Sequence, residues 1–375
     1  MRHTPGVWHI LLGPYLITPP GTPYQVEVTL HFGRRGRKFA VTPAPTEVPG
    51  RGTGWYRADL HTHTYHSDGS RTRRKLVRQA REAGLDVIGS SEHNTSSATL
   101  SWGRYAPDDL LVVAGEEVTT RAGHWLAMGI PAGTWIDWRY RPEDNQLATF
   151  TDRVRELGGV AIVCHPYNPV PSIRWGFGTD YEHMDAFEIW NGPWTGDDQS
   201  AVANWDRMLR AGRYVPAVGT SDSHNDRQTV GLAQSVMRLE SLSTSAVVAA
   251  VRGGHLYVAE SSAVSLDFEA TAGEATASCG DTLEGEPADL VTVTMTASGV
   301  PGCVGQLLGP VGVIAGAFAD GDGNLEVTTV QPASAIPFVR GEVRRPNGEV
   351  NSPVEDMAGS RMVALTNPAF VTSGA

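Results

Sequence analysis

A short stretch near residue 60 contains residue types that bind metal ions. His61 and His63 are separated by one residue, and side chains two residues apart in an extended strand point to the same side. The two imidazoles would therefore project together, and Asp68 follows them closely in the chain. Asp222 and His224 repeat the spacing with a carboxylate and an imidazole. Two histidines on a strand surface are the ordinary alternative, so the interpretation depends on the rest of the chain.

Further candidate ligands follow apolar runs. His93 lies five residues after one such run, and His165 directly follows another. Glu116 and Glu117 come directly after a third run. In α/β barrels and open α/β sheets, functional residues lie at the carboxyl ends of the strands, so we expect these side chains to meet on one face. His124, at the start of its run, is the exception.

The donor types indicate the metal and the reaction. Imidazole and carboxylate together suit zinc, manganese or iron. A single catalytic zinc needs three protein ligands, so nine candidates predict two or three divalent ions that share a bridging carboxylate. On chemistry alone, either Glu116 or Glu117 could be that bridge. The candidate metal ligands are His61, His63, Asp68, His93, Glu117, His124, His165, Asp222 and His224.

The predicted reaction class is metal-assisted hydrolysis. Two close divalent ions can generate hydroxide near neutral pH, polarise a P=O or C=O bond, and stabilise charge on the attacking and leaving oxygens. The chain has neither the Gly-x-Ser-x-Gly turn of a serine hydrolase nor a phosphate-binding glycine-rich loop. No separate nucleophile is needed.

The middle of the chain alternates apolar runs with amphipathic segments. The periodicity predicts four helices, each followed by the glycine expected just past a helix end, at residues 72–83, 146–157, 198–211 and 243–252. The apolar runs predict strands at residues 85–88, 110–114, 124–130, 160–164, 186–190 and 215–218. This alternation is typical of an α/β fold with a mainly parallel sheet or a barrel.

The two ends of the chain predict β structure. Val26, Val28, Leu30 and Phe32 alternate with polar residues, and the basic residues Arg34, Arg35, Arg37 and Lys38 are interpreted as a solvated hairpin end. After residue 260, strands are predicted at residues 290–296, 338–345 and 362–365. We therefore divide the chain into an N-terminal β segment (1–57), a metallohydrolase unit (58–260) and a C-terminal β domain (261–375). Residues 1–57 are few for a domain, so we expect both ends to form one β-sandwich-like domain.

The net charge and the lengths of the apolar runs limit the classes of molecule that the protein is expected to bind. The 375 residues carry a formal charge of -11, which argues against tight binding of nucleic acid and favours a small-molecule ester substrate. No apolar run reaches 18 residues and the first residues do not resemble a signal peptide, so we expect a cytoplasmic protein without a membrane partner. The β domain could mediate homo-oligomer formation. The three cysteines do not predict a disulfide framework.

The ordered motifs carry a resemblance to a known superfamily. The chain resembles the PHP (polymerase and histidinol phosphatase) metallohydrolases through His61-Thr62-His63, Asp68-Gly69, Glu92-His93-Asn94, Gly115-Glu116-Glu117, Gly123-His124, His165-Pro166 and Asp222-Ser223-His224. Its flanks, Gly54-Trp55-Tyr56-Arg57 and Leu365-Thr366-Asn367-Pro368, look like the CehA/McbA-like branch, which includes carbaryl hydrolase. Glu92 stands where the superfamily usually has the shorter Asp, a difference that would shift the geometry beside His93.

The resemblance implies a distorted (β/α)7 barrel with a trinuclear metal centre at its C-terminal mouth. The first ion would take His61, His63, Glu117 and Asp222. The second would take Glu117, His124 and His165, and the third Asp68, His93 and His224. Glu117, preferred over Glu116 because the family's ligand lies two residues after the glycine, would bridge the first two ions. Glu117, Asp222 and His224 are the expected catalytic residues.

Three functional classes remain open. The leading one is a phosphoesterase for small phosphate mono- or diesters that acts through a metal-bridging hydroxide. The alternative is a carbamate or carboxylic aryl ester hydrolase with the same site, which the branch resemblance and the aromatic residues between 102 and 205 favour. The third is a non-catalytic scaffold stabilised by metal. Substrate contacts are expected from Asn94, Tyr167, Arg174 and Arg227.

Overall fold

The structure is a computed structural model that describes residues 6–8, 10, 12, 17, 19–30, 33 and 39–373. In chain order its first elements are β1 (Gly54–Asp59), α1 (Arg73–Glu82), β2 (Val87–Ser90), β3 (Leu111–Thr120), β4 (Gly123–Met128), α2 (Leu147–Glu156), β5 (Val160–Val163), β6 (Ala186–Asn191), α3 (Gly196–Arg210), β7 (Ala217–Thr220), β8 (Gln234–Leu239), α4 (Thr244–Gly253) and β9 (Leu256–Ala259). Short 3-10 helices lie at Thr99–Arg104 and Pro142–Asp144. All four predicted helices and all six predicted strands are present, with ends shifted by a few residues.

The first seven strands form a continuous row. β1, β2 and β3 pair in parallel, β4 is antiparallel to both β3 and β5, and β5, β6 and β7 pair in parallel again. Just beyond β1 and β7, Thr62 and Ser223 form an isolated parallel bridge, in which the His63 backbone N–H donates to the Ser223 carbonyl at 3.1 Å. The row therefore returns to its own start, with the carboxyl ends of β1 and β7 side by side.

Helix caps explain two of the helix boundaries. Thr72 precedes α1 and its hydroxyl accepts a hydrogen bond from the Lys75 backbone N–H at 3.2 Å. α3 begins two residues before the predicted start, because the Asp198 carboxylate accepts the Thr195 backbone N–H at 2.7 Å and orders the first turn. The longest helix is α3, and no helix among the described residues is long and apolar enough to cross a bilayer.

The last third of the chain is all β. Its strands are β10 (Ser265–Ala272), β11 (Ala275–Ala277), β12 (Thr282–Gly285), β13 (Leu290–Ser298), β14 (Val304–Gly309), β15 (Gly312–Phe318), β16 (Leu325–Pro332), β17 (Phe338–Arg345), β18 (Arg361–Thr366) and β19 (Ala369–Ser373). β11, β10, β13 and β16 form a separate antiparallel sheet. β18 pairs with β9, so the remaining strands extend the larger sheet, and the apolar faces of both sheets share one core. The three strands predicted after residue 260 are confirmed.

The N-terminal expectation is wrong for the residues that the structure describes. Residues 19–30 form no strand, and Val26, Val28 and Leu30 are all exposed. Alternation of apolar and polar residues alone does not make a strand, because the backbone N–H and C=O groups of an extended segment also need a neighbouring strand to bond to. The C-terminal strands find their partners among themselves and in β9. Phe32 and the basic residues Arg34, Arg35, Arg37 and Lys38 lie outside the described residues.

Residues 40–50 lie against the α/β unit rather than the β domain. The Thr42 N–H donates to the Leu100 carbonyl at 2.8 Å, and the Val48 N–H donates to the Leu242 carbonyl at 2.9 Å. Val48 is buried in the core of the α/β unit. The described part of the N-terminal segment therefore does not complete a sandwich with the C-terminal strands.

Asn367 joins the β domain to the α/β unit. Its side-chain oxygen accepts hydrogen bonds from the Ala217 N–H at 2.9 Å and the Tyr214 hydroxyl at 3.1 Å. Its amide nitrogen donates to the Ala217 carbonyl at 2.9 Å and the Leu256 carbonyl at 3.1 Å. Ala217 and Leu256 begin β7 and β9, so one buried carboxamide holds the starts of two strands.

We expect Asn367→Asp to lower the free energy of unfolding by about 1–3 kcal/mol for each buried carbonyl that loses its donor. A carboxylate can accept the two donors but cannot donate to the two carbonyls. Urea unfolding followed by tryptophan fluorescence measures the change. Asn347→Asp, at an exposed position of the same domain, is the matched control. Equal urea midpoints for the two variants would contradict the role assigned to Asn367.

Candidate metal centre

Four buried donor atoms converge at the end of β1. His61 Nε2 lies 3.2 Å from Glu117 Oε2 and 3.2 Å from Asp222 Oδ1. His63 Nε2 lies 3.3 Å and 3.1 Å from the same two oxygens. None of these four atoms has a hydrogen-bond partner among the described residues. The structure thus brings together the set that the resemblance assigned to the first ion.

The spacing of these atoms fits a divalent cation. Ligand atoms about 2.0–2.2 Å from a tetrahedral ion lie about 3.3–3.6 Å from one another, close to the separations observed. A buried polar atom without a partner costs about 1–3 kcal/mol, and four of them in contact would be strongly unfavourable. A bound cation removes this cost, and the donor set of two imidazoles and two carboxylates suits it.

The alternation of β3 decides between the two adjacent glutamates. Glu117 points toward the histidines, whereas Glu116 points to the other face, where its Oε2 accepts the Ile136 backbone N–H at 3.0 Å. Burial raises the pKa of Glu116 to about 8. The preferred candidate, Glu117, is therefore the glutamate that reaches the site.

Asp68, His93 and His224 form a second group of donors. His93 Nε2 and His224 Nε2 lie 3.5 Å and 3.4 Å from Asp68 Oδ1, and 3.4 Å from each other. The His224 Nδ1 donates to the Asp222 carbonyl at 2.8 Å, so its Nε2 is left as an acceptor. His93 Nδ1 lies 2.7 Å from the Thr119 hydroxyl, which itself donates to the Glu117 carbonyl at 3.2 Å. Three acceptors thus face one another, as in the set predicted for the third ion.

The last two candidates meet the other oxygen of Glu117. His124 Nδ1 lies 2.9 Å and His165 Nε2 lies 3.5 Å from Glu117 Oε1. The donor atoms group His124 with Glu117 and His93, and His165 with His61, Glu117 and Cys164. Glu117 therefore presents one oxygen to each of two donor groups, as a bridging ligand must. His93 Nδ1 also contacts Glu117 Oε2 at 2.8 Å, although without hydrogen-bond geometry.

Burial and neighbouring charges shift the pKa values of the cluster in opposite directions. Burial opposes ionisation throughout, yet the carboxylates of Asp222 and Glu117 raise the pKa of His63 to about 9. The same two carboxylates raise the pKa of His61 against the effect of burial. In turn, burial opposes but the neighbouring imidazoles lower the pKa of both Glu117 and Asp222. In the metal-free protein, His61 and His63 therefore favour the protonated form beside the carboxylates, whereas burial lowers the pKa of His124 and His224.

Glu188 is a functional residue that the sequence interpretation missed. Its Oε1 lies 2.7 Å from His61 Nδ1 and accepts the Thr220 hydroxyl at 2.7 Å. Its Oε2 accepts the His165 backbone N–H and the Asn191 amide, each at 2.7 Å. A carboxylate on Nδ1 fixes the ring orientation in which His61 Nε2 faces Glu117 and Asp222. In the sequence, the one indication of this role is that Glu188 is a single acidic residue inside the apolar strand β6.

Two more buried carboxylates hold the loops that carry the ligands. Asp59 accepts the Ser221 N–H at 3.0 Å and the Gly231 N–H at 2.9 Å, which ties the end of β1 to the chain after β7. Glu92 accepts the Ser67 hydroxyl at 2.6 Å and the Thr64 N–H at 3.1 Å. The longer side chain at position 92 thus holds the loop that leads to Asp68.

The four residues predicted to contact substrate make other contacts within the protein or are exposed. Asn94 uses both side-chain atoms on the Thr119 backbone, at 2.8 and 3.1 Å. Tyr167 is half-buried and packs against the core of the α/β unit. Arg174 and Arg227 are exposed, and Arg174 Nε donates to the carbonyl of Asn168 in its own loop at 3.2 Å. A role for these residues in binding substrate stays a prediction.

Comparisons with known proteins give distant likenesses. No protein-family model matches the chain. An uncharacterised protein of Methanocaldococcus jannaschii is 27% identical over 130 residues, which are 30% of this chain and 70% of the relative. A two-domain protein of Bacteroides vulgatus containing a predicted PHP-like metal-dependent phosphoesterase has a TM-score of 0.45 at 15% identity, covering 88% of this chain and all of that one.

A further solved structure is more distant. An amidohydrolase of Chromobacterium violaceum, with bound sulfate and no metal, has a TM-score of 0.36 at 16% identity, covering 46% of this chain and 89% of that one. At these TM-scores neither solved structure establishes a shared fold. The donor geometry of this chain must therefore carry the functional argument.

We expect Glu188→Gln to weaken metal binding by about 10–100-fold while the fold remains intact, because the glutamine no longer provides the charge that orients His61. Competition between the protein and a chromogenic chelator for zinc measures the affinity. Glu156→Gln, at an exposed helix position, is the matched control. An affinity equal to that of the control would show that Glu188 does not orient the ligand.

Metal affinity should rise with pH between 7 and 9. The pKa of His63 in the metal-free protein is about 9, so at pH 7 its imidazole is protonated and must lose that proton to coordinate. Each proton released makes the apparent affinity about tenfold higher per pH unit within this window. Calorimetry in two buffers of different ionisation enthalpy counts the protons. An affinity independent of pH, without proton release, would be inconsistent with His63 as a ligand.

Proposed function

We propose that the protein is a metal-dependent hydrolase that cleaves ester bonds, with phosphate mono- or diesters as its first substrate class. The observation that carries the proposal is the contact of four buried, unpartnered donor atoms from His61, His63, Glu117 and Asp222. Such an arrangement has a cost in a folded protein unless a cation binds there. The ordered motif series of the PHP superfamily supports the same conclusion.

The strand row supports a distorted (β/α)7 barrel. In this reading, β1 to β7 are the barrel strands and the bridge between Thr62 and Ser223 closes them. The donor groups then lie at the C-terminal mouth, where α/β barrels have their active sites. β8 and β9 would connect the barrel to the β domain.

The donor groups would hold two or three divalent ions. We assign His61, His63, Glu117 and Asp222 to the first ion, Glu117, His124 and His165 to the second, and Asp68, His93 and His224 to the third. When bound, zinc, manganese or iron would supply Lewis acidity that activates water and polarises the scissile group.

The exposure of the donor side chains indicates the direction from which a substrate would approach. His61, His63 and Glu117 are fully buried, whereas the side chain of Asp68 is 60% exposed and that of Asp222 is 22% exposed. A substrate would therefore enter past Asp68 and His224. In this proposal Asp222 Oδ2, which lies 3.9 Å from His165 Nε2, would accept a proton from an attacking water.

Charge favours a phosphate ester as the substrate. Among the described residues, the carboxylates of Asp68, Glu117 and Asp222 form ion pairs with histidines only, so no lysine or arginine neutralises them. Divalent ions at up to three neighbouring positions would offset the negative charge of these carboxylates and present positive centres to the substrate. An anionic phosphoryl group matches that field.

A carbamate or carboxylic aryl ester is the second candidate, and aromatic side chains near the mouth favour it. The Tyr65 ring is 52% exposed and stacks on His66, only two residues after His63. The Trp135 ring is 43% exposed, and its N–H donates to the carbonyl of Asn94, next to His93, at 3.1 Å. The sequence likeness to the CehA/McbA-like branch points the same way. Four other tryptophans, Trp102, Trp125, Trp190 and Trp205, belong to the core.

The test is hydrolysis by protein loaded separately with zinc, manganese or iron(II), on nitrophenyl phosphate, bis-nitrophenyl phosphate and an aryl carbamate. We expect phosphate turnover, lowered at least about a thousandfold in His61→Ala, Asp222→Asn and Glu117→Gln. The first variant removes a donor of the first group, and the other two replace an anionic carboxylate by a neutral amide, which is a weaker ligand. His183→Ala, an exposed histidine away from the site, is the matched control and should keep full activity.

The other outcomes separate the candidates. Turnover of the carbamate alone would establish the second candidate, with the same residues in the site. Bound metal without turnover of any substrate would support a scaffold. Full activity in both His61→Ala and Asp222→Asn would refute the assignment of the site.

A further inference from the structure

We propose that Cys164 Sγ is an additional ligand of the metal centre and biases that centre toward zinc or iron(II). The proposal rests on the metal centre of the proposed function but adds a donor of a different chemical type. The Cys164 sulfur and one donor atom each of His61, Glu117 and His165 all lie within 4.8 Å of one another. All four residues are buried.

The backbone explains why the sulfur reaches this place. Cys164 and His165 are consecutive, and in a regular strand their side chains would point to opposite sides. β5 ends at Val163, and His165 has a φ of +25°, so the alternation stops there. The Cys164 N–H donates to the His124 carbonyl at 3.0 Å, which fixes the position of the residue. Two successive side chains thus face the same cluster.

The residues grouped with the sulfur carry buried polar atoms without hydrogen-bond partners, which points to a ligand. His61 Nε2, Glu117 Oε2 and His165 Nδ1 are buried and have no hydrogen-bond partner among the described residues. Cys164 packs into the apolar core of the α/β unit, and its sulfur also lies close to donor atoms of two imidazoles and a carboxylate. The other two cysteines, Cys279 and Cys303, are also buried and free but belong to the core of the β domain.

Coordination would convert the thiol into a thiolate. The S–H bond breaks, the sulfur keeps the electron pair and shares it with the ion, and the proton leaves to solvent. A thiolate is a soft donor, which favours zinc and iron(II) over manganese and magnesium at a site otherwise made of nitrogen and oxygen. Cys164 would therefore be a determinant of metal choice.

Cobalt(II) in place of the native metal provides a test that does not depend on activity. The full-length protein loaded with cobalt should show a thiolate-to-cobalt charge-transfer band in the near ultraviolet, in addition to the visible ligand-field bands. Cys164→Ala should lose the charge-transfer band and keep the visible bands. Cys279→Ala, which removes an equally buried thiol from the β domain, should keep both. X-ray absorption of the zinc form should show a sulfur neighbour at about 2.3 Å.

Metal preference gives a second readout. We expect the ratio of zinc to manganese affinity to fall by at least about tenfold in Cys164→Ala, because one soft donor is lost. Cys279→Ala should leave the ratio unchanged.

The outcomes are distinguishable from failure of the proposed function. Visible cobalt bands without a charge-transfer band or a sulfur neighbour would overturn the role of Cys164 and leave the metal centre standing. A charge-transfer band that survives in Cys164→Ala but disappears in Cys279→Ala would also overturn it. Absence of all cobalt bands would reject both proposals. If Cys164→Ala does not fold, the spectra of the unmodified protein and of Cys279→Ala decide the question.

Discussion

The structure depends on one electrostatic constraint, namely that several electron-pair donors face one another inside a folded chain. The Nε2 atoms of His61 and His63 each lie 3.1 to 3.3 Å from Glu117 Oε2 and Asp222 Oδ1, and none of the four atoms has a hydrogen-bond partner among the described residues. Such a cluster is stable only when protons or cations lie between the donors. The raised pKa of His63 is consistent with a proton between the donors when no metal is bound. A divalent ion would replace that proton, and the imidazole would then coordinate in its neutral form.

Surrounding carboxylates keep these donors in place. Glu188 contacts His61 and orients its ring. Asp59, at the end of β1, binds the chain just after β7. Glu92 binds the loop that leads to Asp68. Each carboxylate is buried and accepts hydrogen bonds. Glu188 thereby fixes the His61 ring, and Asp59 and Glu92 fix the backbone next to other candidate ligands. The β domain contributes at the other end of the strands, where Asn367 holds the starts of β7 and β9.

The sequence predicts much of this arrangement because the ligands follow the strands at fixed positions. His61 and His63, Asp222 and His224 share a spacing that has a direct geometric meaning in an extended chain. The choice of Glu117 over Glu116 follows from side-chain alternation once β3 is known to continue through both residues. Donor chemistry alone did not distinguish the two glutamates. The predicted strand did not help either, because it ended at residue 114, six residues before the end of β3.

Other features depend on tertiary contacts that sequence patterns do not contain. Glu188 is a single acidic residue in an apolar strand, and only the position of His61 reveals its role. The alternation at Val26 to Leu30 predicted a strand, but strand formation requires a partner that these residues do not have in the described structure. The hydrogen bonds of Asn94 to the Thr119 backbone likewise depend on the position of β3, and its predicted contact with substrate stays a prediction.

The most direct test of the central claim is anomalous scattering from crystals grown with zinc or manganese, recorded at the absorption edge of the metal. The account predicts a peak between His61, His63, Glu117 and Asp222, about 2.0–2.2 Å from the four donor atoms, and a further peak among Asp68, His93 and His224. Well-ordered crystals without a peak at the first position, in protein saturated with metal, would contradict the account.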